Sequence, residues 1–307
     1  MAHEWTIVAD ENIPLVEEAF SPYGTVRIRP GEQIDRSELA GADVLLARSV
    51  TSVDRKILQG TPVRFVGSAT SGTDHVDRAY LDRRGIEFAH APGSNADSVV
   101  EYVLAALARL TVRRKTSLRG ATVGVVGCGA IGSRLVDRLP AAGLTVLPND
   151  PPRAEAARAR GDDHPFVPLD RLLEEADVLT LHVPLKRSGA YPTFHLIGER
   201  ELAALSDRTC LINASRGAVV DAETLLETRR AGGLGALVLD VFEEEPTPNP
   251  ELIERCDLAT PHVAGYSYDG KLAGTIAIYR AFRAWGNFED RWDYERHLEL
   301  GPEVDPV

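Results

Sequence analysis

The chain has 307 residues and a mass of 33.3 kDa, which is enough for about two domains of ordinary size, each with its own core. It is 44% hydrophobic and 26% charged, and no apolar run approaches the ~20 residues of a membrane-spanning helix, so the sequence excludes a helical membrane protein. The 34 basic and 46 acidic residues give a net charge of −12, which disfavours nucleic-acid binding because a phosphate backbone would be repelled.

The N-terminus and the cysteines predict a cellular location. A strand-like apolar stretch begins within the first few residues, without the charged leader and apolar core of a signal peptide. The three cysteines, Cys128, Cys210 and Cys256, lack the spacing of a disulfide framework or a metal site. We therefore expect a cytoplasmic protein without a metal. Its lysine-poor, acidic composition would suit a high-salt cytoplasm, although biased codon usage explains it equally well.

Short β-branched runs alternate with segments of helical period, which predicts parallel α/β units and a doubly wound α/β fold. In the first hundred residues, helices are expected over Ser52–Leu58 and Val76–Arg84. A longer helix follows Asn95, its predicted N-cap, and would carry the chain into a second domain. The strands expected in this part are Thr6–Ala9, Val26–Arg29, Val44–Ala47, Arg64–Ser68 and Glu87–His90.

From Gly120 the alternation restarts with runs that are apolar on successive residues, as expected for strands buried on both faces. Beyond His262, the segment Asp269–Phe282 has helical period, and we expect it to return the chain to the first domain. The predicted division is therefore one domain of residues 1–98 plus 271–307 and another of residues 99–270. The strands expected in the second domain are Thr122–Val126, Thr145–Leu147, Val178–His182, Cys210–Asn213, Ala236–Val241 and Leu258–Thr260.

A glycine-rich turn predicts a dinucleotide site in the second domain. The segment 127–132 (GCGAIG) directly follows a predicted strand and opens the predicted helix Ala130–Arg138, which is the context that makes a G-x-G-x-x-G match specific. Gly127 would permit the tight turn, Gly129 the approach of the pyrophosphate, and Gly132 the close packing of helix and strand. Ala130 and Ile131 begin the helix whose N-terminus would face the phosphates.

Asp150, at the end of the next strand, predicts which dinucleotide is bound. A carboxylate at this position can accept both ribose hydroxyls and repels a 2′-phosphate, so the sequence favours NAD. Arg153, three residues later, could weaken the preference for NAD over NADP. Pro151 and Pro152 fix the backbone between Asp150 and Arg153, which argues against this effect.

Three polar residues follow successive predicted strands of the second domain, where ligand crevices of open α/β sheets lie. Taken singly, Arg216 could cap a turn, Glu245 could belong to a solvated acidic loop, and His262 could be a core histidine. Together they supply a cation for a carboxylate and a developing oxyanion, a proton carrier, and a carboxylate that orients it. This set predicts hydride transfer at a carbinol carbon.

The sequence resembles the D-2-hydroxyacid dehydrogenases. The resemblance implies a flavodoxin-like substrate domain, a Rossmann NAD-binding domain and a homodimer, formed through the region around Asn95–Arg114. It also implies that Arg216 and Glu245 are active-site residues and that His262 is the proton donor. The motifs that carry the resemblance are 213–221 (NASRGAVVD), 239–246 (LDVFEEEP) and 260–265 (TPHVAG), together with the glycine turn and Asp150.

Further segments resemble the branch of this family that oxidises 4-phospho-D-erythronate in vitamin B6 synthesis. They are 9–14 (ADENIP), 47–51 (ARSVT), 67–77 (GSATSGTDHVD), 150–154 (DPPRA) and 262–266 (HVAGY). The branch has a further C-terminal dimerisation domain, whereas this sequence stops at Val307, and it commonly has threonine where Val183 stands. The residues that the resemblance assigns to the substrate are Ser49, Thr70 and Tyr266, and those it assigns to NAD are Asp150, Asp240 and Gly265. Gly72 is a further predicted substrate residue. Val183, which lacks the threonine hydroxyl, is a further predicted NAD residue.

The predicted reaction is oxidation of a 2-hydroxy acid at C2, with neutral His262 taking the hydroxyl proton. Arg48, beside Ser49 at a strand end, is the predicted ligand of the substrate phosphate. The attraction of a nearby arginine for the phosphate exceeds the repulsion from the net negative charge of the protein, because salt screens the more distant charges. Two alternatives remain open at this stage. One is a related dehydrogenase acting on glycerate, glyoxylate or phosphoglycerate, and the other is an NAD-sensing interaction protein on the same scaffold.

Overall fold

The computed structural model describes residues 4–114 and 118–300, and it divides the chain into two compact units. The first unit contains the described residues up to Asn95 and from Tyr266 onward, and the second runs from Ala96 to Gly265. Each change of unit falls directly before a long helix begins, a few residues ahead of the predicted limits at 98 and 270. None of the described helices is long and apolar enough to cross a bilayer.

The described residues form eleven strands and twelve α-helices. The strands are β1 (Trp5–Asp10), β2 (Gly24–Arg29), β3 (Val44–Ala47), β4 (Phe65–Ser68), β5 (Glu87–His90), β6 (Thr122–Val126), β7 (Thr145–Asn149), β8 (Val178–Leu181), β9 (Cys210–Asn213), β10 (Ala236–Leu239) and β11 (Leu258–Ala259). The helices are α1 (Val16–Phe20), α2 (Arg55–Leu58), α3 (Arg78–Arg84), α4 (Ala96–Arg114), α5 (Ala130–Arg138), α6 (Pro151–Arg160), α7 (Leu169–Glu175), α8 (Glu199–Ala204), α9 (Ala222–Arg230), α10 (Pro250–Glu254), α11 (Tyr268–Gly286) and α12 (Glu295–Leu300).

The first unit is built on a five-stranded parallel sheet in the order β2-β1-β3-β4-β5. This is the flavodoxin-like strand order, as the family resemblance implied. Strands β3 and β4 are buried at every residue, because helices cover both faces of the sheet. The predicted fold class is confirmed for this unit.

Helix α11 contributes five buried residues to the larger core cluster of the first unit. Ser267 caps its N-terminus by accepting a hydrogen bond from the N–H of Gly270. Phe282 on α11 is fully buried, and its ring centroid lies 5.4 Å from that of Phe20 and 5.5 Å from that of Phe65. The contact with Phe20 is tilted and that with Phe65 is edge-to-face, and aromatic contacts of these kinds add to the stabilisation that burial of apolar area gives.

The second unit is a Rossmann-type domain with a six-stranded parallel sheet in the order β11-β10-β9-β8-β6-β7. The chain builds β6 and β7 on one side and then crosses to β8, from which the sheet grows in the other direction. The switch in strand order therefore lies between β6 and β8, where open α/β sheets bind their ligands. Apolar clusters cover both faces, so β8, β9 and β10 are buried throughout.

The structure differs from the sequence-based elements mainly in helices that lack apolar periodicity. Helix α6 buries only Ala154 and Ala157, which leaves no apolar stripe for a pattern to detect. Two predicted helices begin later than expected, because Asp54 and Asp77 cap α2 and α3 and their own backbones are not helical. Helix α12 lies in the terminal segment for which no strand was predicted.

We predict that Phe282→Ala lowers the free energy of unfolding of the first unit by about 3–5 kcal/mol, because a fully buried ring leaves a cavity. The three tryptophans, Trp5, Trp285 and Trp292, all lie in the first unit, so their fluorescence during urea unfolding reports on that unit. Val50→Ala, at a residue that is 54% exposed in the same unit, is the control and should change stability by less than ~0.5 kcal/mol. Equal losses in the two variants would contradict the packing described.

Candidate active site

The glycine turn after β6 is shaped for a dinucleotide phosphate. Gly127 has φ of +87°, and a Cβ there would lie 2.6 Å from the carbonyl oxygen of His182 and 2.7 Å from Cγ1 of Val183. A Cβ on Gly132 would lie 1.9 Å from the carbonyl oxygen of Gly127, so only glycine lets the helix approach the turn. A Cβ on Gly129 would meet no atom within 4 Å, which leaves the outer face of the turn open to a ligand.

Asp150 is tied directly to this turn. Its Oδ2 accepts a hydrogen bond of 2.9 Å from the N–H of Cys128, and its Oδ1 caps α6 by accepting from the N–H of Arg153 at 3.0 Å. Each carboxylate oxygen can accept more than one hydrogen bond, so both retain capacity for ribose hydroxyls. The glycine turn and Asp150 together fit a dinucleotide with a free 2′-hydroxyl.

Two neighbours of the turn have local roles that the sequence did not predict. The guanidinium of Arg153 donates to the carbonyl oxygen of Cys128 and to Oγ of Ser133, and it lies over the ring of Phe166. Arg153 therefore ties the glycine turn to α6. Burial raises the pKa of the Cys128 thiol to about 11, so the thiol stays neutral.

Arg216 lies in a tight loop that follows β9. The Asn213 side chain accepts from the N–H and the hydroxyl of Ser215 and donates to the carbonyl oxygen of Arg216, which fixes the loop. A Cβ on Gly217 would lie 1.9 Å from the carbonyl carbon of Phe242. Glycine therefore lets the Arg216 loop pack directly against the loop that leads to Glu245.

Glu245 and His262 form a hydrogen-bonded pair, with 2.8 Å between Oε2 of the carboxylate and Nδ1 of the imidazole. The other carboxylate oxygen accepts from the N–H of Phe242 at 2.8 Å, which fixes the side chain. This contact assigns the proton of neutral His262 to Nδ1 and leaves Nε2 to exchange a proton with a ligand. The pair has the arrangement of an oriented general base.

The charges around the pair stabilise the imidazolium form of His262. The hydrogen bond to Glu245 raises the pKa of His262 above its usual value, in opposition to burial and to the charge of Arg216. Burial alone would raise the pKa of Glu245, but the hydrogen bonds from His262 and Phe242, together with the charge of Arg216, lower it overall. The two shifts agree, because each partner favours the charged form of the other.

Asp240 holds the loop that carries His262. Its buried carboxylate accepts from the hydroxyl of Thr260 at 2.7 Å and from the N–H groups of Val263 and Ala264, each at 2.8 Å. The N–H of His262 donates to the Asp240 carbonyl oxygen at 2.7 Å. His262 has φ of +55°, an unusual value for this residue type, and these bonds hold it there. Gly265, which follows this loop, ends the second unit.

Sequence reasoning missed a second histidine–carboxylate cluster, which lies next to the loop that leads to Glu245. His195 lies between two carboxylates, with 2.8 Å from Nε2 to Oε1 of Glu243 and 3.2 Å from Nδ1 to Oδ2 of Asp221. Glu243 is two residues before Glu245, so His195 helps to anchor that loop. A contact between residues 48 positions apart leaves no local pattern in the sequence.

The predicted substrate residues lie at the carboxyl ends of β3 and β4 and at the start of α11, all in the first unit. Arg48 is half-buried and donates to the carbonyl oxygen of Ala69 at 3.2 Å, and Ser49 beside it is exposed. The Thr70 hydroxyl donates to the carbonyl oxygen of Gly72 at 2.9 Å, which closes the loop after β4. Tyr266 has 60% of its surface exposed and is therefore open to a ligand.

Comparisons with known proteins identify the family. Residues 103–264 match the sequence family described as "D-isomer specific 2-hydroxyacid dehydrogenase, NAD binding domain". The chain is 60% identical to the erythronate-4-phosphate dehydrogenase of Salinibacter ruber over 93% of this chain and 73% of that protein. It is 50% identical to the enzyme of the same name from Pseudomonas paraeruginosa, over 98% of this chain and 80% of the relative.

Among solved structures, the D-lactate dehydrogenase of Aquifex aeolicus, in complex with NAD and lactic acid, has the same fold. It superposes with a TM-score of 0.74 and 24% identity over 98% of this chain and all of the other. This likeness concerns the fold alone, whereas the sequence matches reach the motifs of the site. The chain therefore belongs to the family of D-isomer specific 2-hydroxyacid dehydrogenases, which are NAD-dependent oxidoreductases, and it contains the NAD-binding domain of that family.

Proposed function

We propose that the protein oxidises 4-phospho-D-erythronate at C2 to the corresponding 2-oxo acid, with NAD⁺ as the oxidant, as a step of vitamin B6 synthesis. The observation that carries the oxidation is the 2.8 Å hydrogen bond between Glu245 and His262, within the electrostatic reach of Arg216. The substrate is supported by relatives at 50–60% identity that are named erythronate-4-phosphate dehydrogenases. In the balanced reaction, R–CHOH–COO⁻ and NAD⁺ give R–CO–COO⁻, NADH and H⁺.

The side chains of the second unit divide the chemistry between them. Bound NAD⁺ supplies the acceptor for the hydride that leaves C2. Neutral His262 takes the hydroxyl proton on Nε2, and Glu245 stabilises the imidazolium that results. Arg216 neutralises the substrate carboxylate and the negative charge that develops on the C2 oxygen. In the reverse direction, the imidazolium returns its proton to the keto oxygen.

In this proposal NAD lies along the carboxyl edge of the second sheet. Asp150 would accept hydrogen bonds from the adenosine ribose hydroxyls, and the N-terminus of α5 would face the pyrophosphate. Asp240 is proposed to contact NAD, and its hydrogen bonds within the second unit also hold the loop of residues 260–264. The remaining contacts come from Gly127, Gly129, Ala130, Ile131, Gly132, Val183 and Gly265.

The first unit supplies the other substrate contacts. Ser49 and Tyr266 present hydroxyls from exposed positions, and Thr70 and Gly72 shape the loop after β4. Arg48 binds the substrate phosphate. Tyr266 follows His262 by four residues in the chain, so the proton carrier and a substrate ligand belong to one short segment.

We further propose that the enzyme acts in the cytoplasm as a homodimer. The three cysteines form no disulfide among the described residues, which suits a reducing compartment. The dimer is proposed from the family resemblance, with helix α4 as the region of contact.

We predict that His262→Ala lowers kcat by about 10²- to 10⁴-fold, because the hydroxyl proton loses its acceptor. In the unmodified enzyme, oxidation should quicken and reduction should slow as the pH rises through the pKa of His262. That pKa lies above the usual ~6.5 because Glu245 stabilises the imidazolium. Steady-state rates in both directions across pH provide the measurement, with His297→Ala as a control. Near-normal turnover by the His262→Ala enzyme would show that His262 is not the acceptor of the hydroxyl proton.

We predict that Asp150→Asn lowers the preference for NAD over NADP, expressed as a ratio of kcat/KM values, by about ten- to a hundredfold. The substitution can keep the helix cap but removes the charge that repels a 2′-phosphate. Asp162→Asn, which removes a carboxylate beyond the other end of α6, is the matched control. An unchanged preference in Asp150→Asn would show that this carboxylate does not select the cofactor.

The proposed substrate is tested by comparing kcat/KM for four acids, with NADH formation followed by absorbance. We expect 4-phospho-D-erythronate to give the highest value, ahead of D-erythronate, D-glycerate and 3-phospho-D-glycerate. A higher value for either glycerate compound would assign the protein to another branch of the family. No NADH from any 2-hydroxy acid, and no NADH consumption with any 2-oxo acid, would favour an NAD-sensing protein.

A further inference from the structure

A lysine that sequence reasoning left without a role lies beside the proposed substrate residues of the first unit. Lys271 is in the first turn of α11, where its N–H donates to the carbonyl oxygen of Ser267 at 3.0 Å. Its Nζ lies 3.6 Å from the centroid of the Tyr266 ring, which is a cation–π contact. This contact fixes the lysine charge next to the exposed hydroxyphenyl group of Tyr266.

Lys271 has no carboxylate partner among residues 4–114 and 118–300. Several arginines of the described residues do have such partners within 4.0 Å, as Arg29 does in Glu38 and Arg283 in Asp290. The lysine is half-buried, so part of its hydration is lost as well. A cation held in this way on a protein with a net charge of −12 is available to an anionic ligand.

Arg48 belongs to the same electrostatic neighbourhood. The contact with Lys271 lowers the pKa of the Tyr266 hydroxyl, and the charge of Arg48 lowers it further, whereas Asp10 acts in the opposite sense. Burial lowers the pKa of Arg48, although the charges of Asp10 and Tyr266 act to raise it. Arg48 and Tyr266 therefore lie within electrostatic reach of each other and of Asp10, and Lys271 contacts Tyr266 directly.

The formal charges of the cluster formed by Arg48, Lys271, Tyr266 and Asp10 do not cancel. Asp10 is fully buried, and its charge acts on both Arg48 and Tyr266. Arg48 and Lys271 are two cations and Asp10 is one carboxylate, so the formal charges of these three side chains sum to a positive value. A phosphate monoester carries about −1.5 to −2 charges at pH 7 and three acceptor oxygens, so it can pair with an ammonium and a guanidinium together.

We propose that Lys271, with Arg48 and the hydroxyl of Tyr266, forms the subsite for the terminal phosphate of the substrate, and that Lys271 determines the preference for a phosphorylated over an unphosphorylated 2-hydroxy acid. The inference rests on the proposed function, since it assigns a part of that substrate to this cluster. In this arrangement Arg48 donates a planar pair of N–H groups, and Lys271 acts as a point charge on another phosphate oxygen.

The test compares kcat/KM for 4-phospho-D-erythronate with kcat/KM for D-erythronate in Lys271→Gln. We expect the ratio to fall by about ten- to a hundredfold, because a charge-assisted hydrogen bond to the phosphate is lost. Lys271→Arg keeps the charge and should restore most of the ratio. Lys56→Gln removes an exposed charge from the same unit and is the control. A ratio that stays within about twofold of the unmodified value in Lys271→Gln overturns the proposal.

A second measurement keeps this result separate from the proposed substrate. Inorganic phosphate is tested as an inhibitor of D-erythronate oxidation by NAD⁺, which needs the catalytic residues but no phosphorylated substrate. We expect the inhibition constant of phosphate to rise at least about tenfold in Lys271→Gln and to stay unchanged in Lys56→Gln. If the unmodified enzyme fails to oxidise 4-phospho-D-erythronate but shows this pattern, the proposed substrate is wrong and the anion subsite stands. If phosphate inhibits all variants equally, the subsite is wrong.

Discussion

The hydrogen bond from His262 Nδ1 to Glu245 Oε2 is the interaction on which the second unit's chemistry depends. At 2.8 Å it orients the ring, assigns the proton of the neutral form to Nδ1 and stabilises the imidazolium. The surrounding structure serves to hold its two partners. Asp240 fixes the unusual backbone of His262, and the N–H of Phe242 fixes the carboxylate of Glu245.

Much of this site could be predicted from the sequence, because its main residues follow strands whose apolar runs are easy to detect. The glycine turn and Arg216 each come directly after a strand, and the carboxyl ends of parallel strands share one edge of a sheet. The contacts that support the site could not be predicted, because they join distant loops without a local signal. The bond between His195 and Glu243 is one such contact. Helix α6 was missed for another reason, since it buries only alanines.

Net charge and local charge lead to different conclusions about ligands. A net charge of −12 disfavours anionic ligands as a class, yet the first unit places Arg48 and Lys271 around Tyr266. Diffuse surface charge is screened over ~8 Å at physiological salt, whereas cations in direct contact with a phosphate are not. Arg216, a half-buried cation of the second unit, has the corresponding proposed role towards the substrate carboxylate. In the proposed subsite, selectivity for a phosphate therefore depends on Arg48, Lys271 and Tyr266 and not on the net charge of the protein.

The proposed proton transfer depends on Glu245 raising the pKa of His262. An NMR titration of the His262 imidazole in the intact protein and in Glu245→Gln tests this claim directly. We expect the pKa to lie above the usual ~6.5 in the unmodified protein and to fall in the variant, because a neutral amide stabilises the imidazolium less than a carboxylate does. A His262 pKa at or below its usual value in the unmodified protein, or one that does not change in Glu245→Gln, would contradict the account.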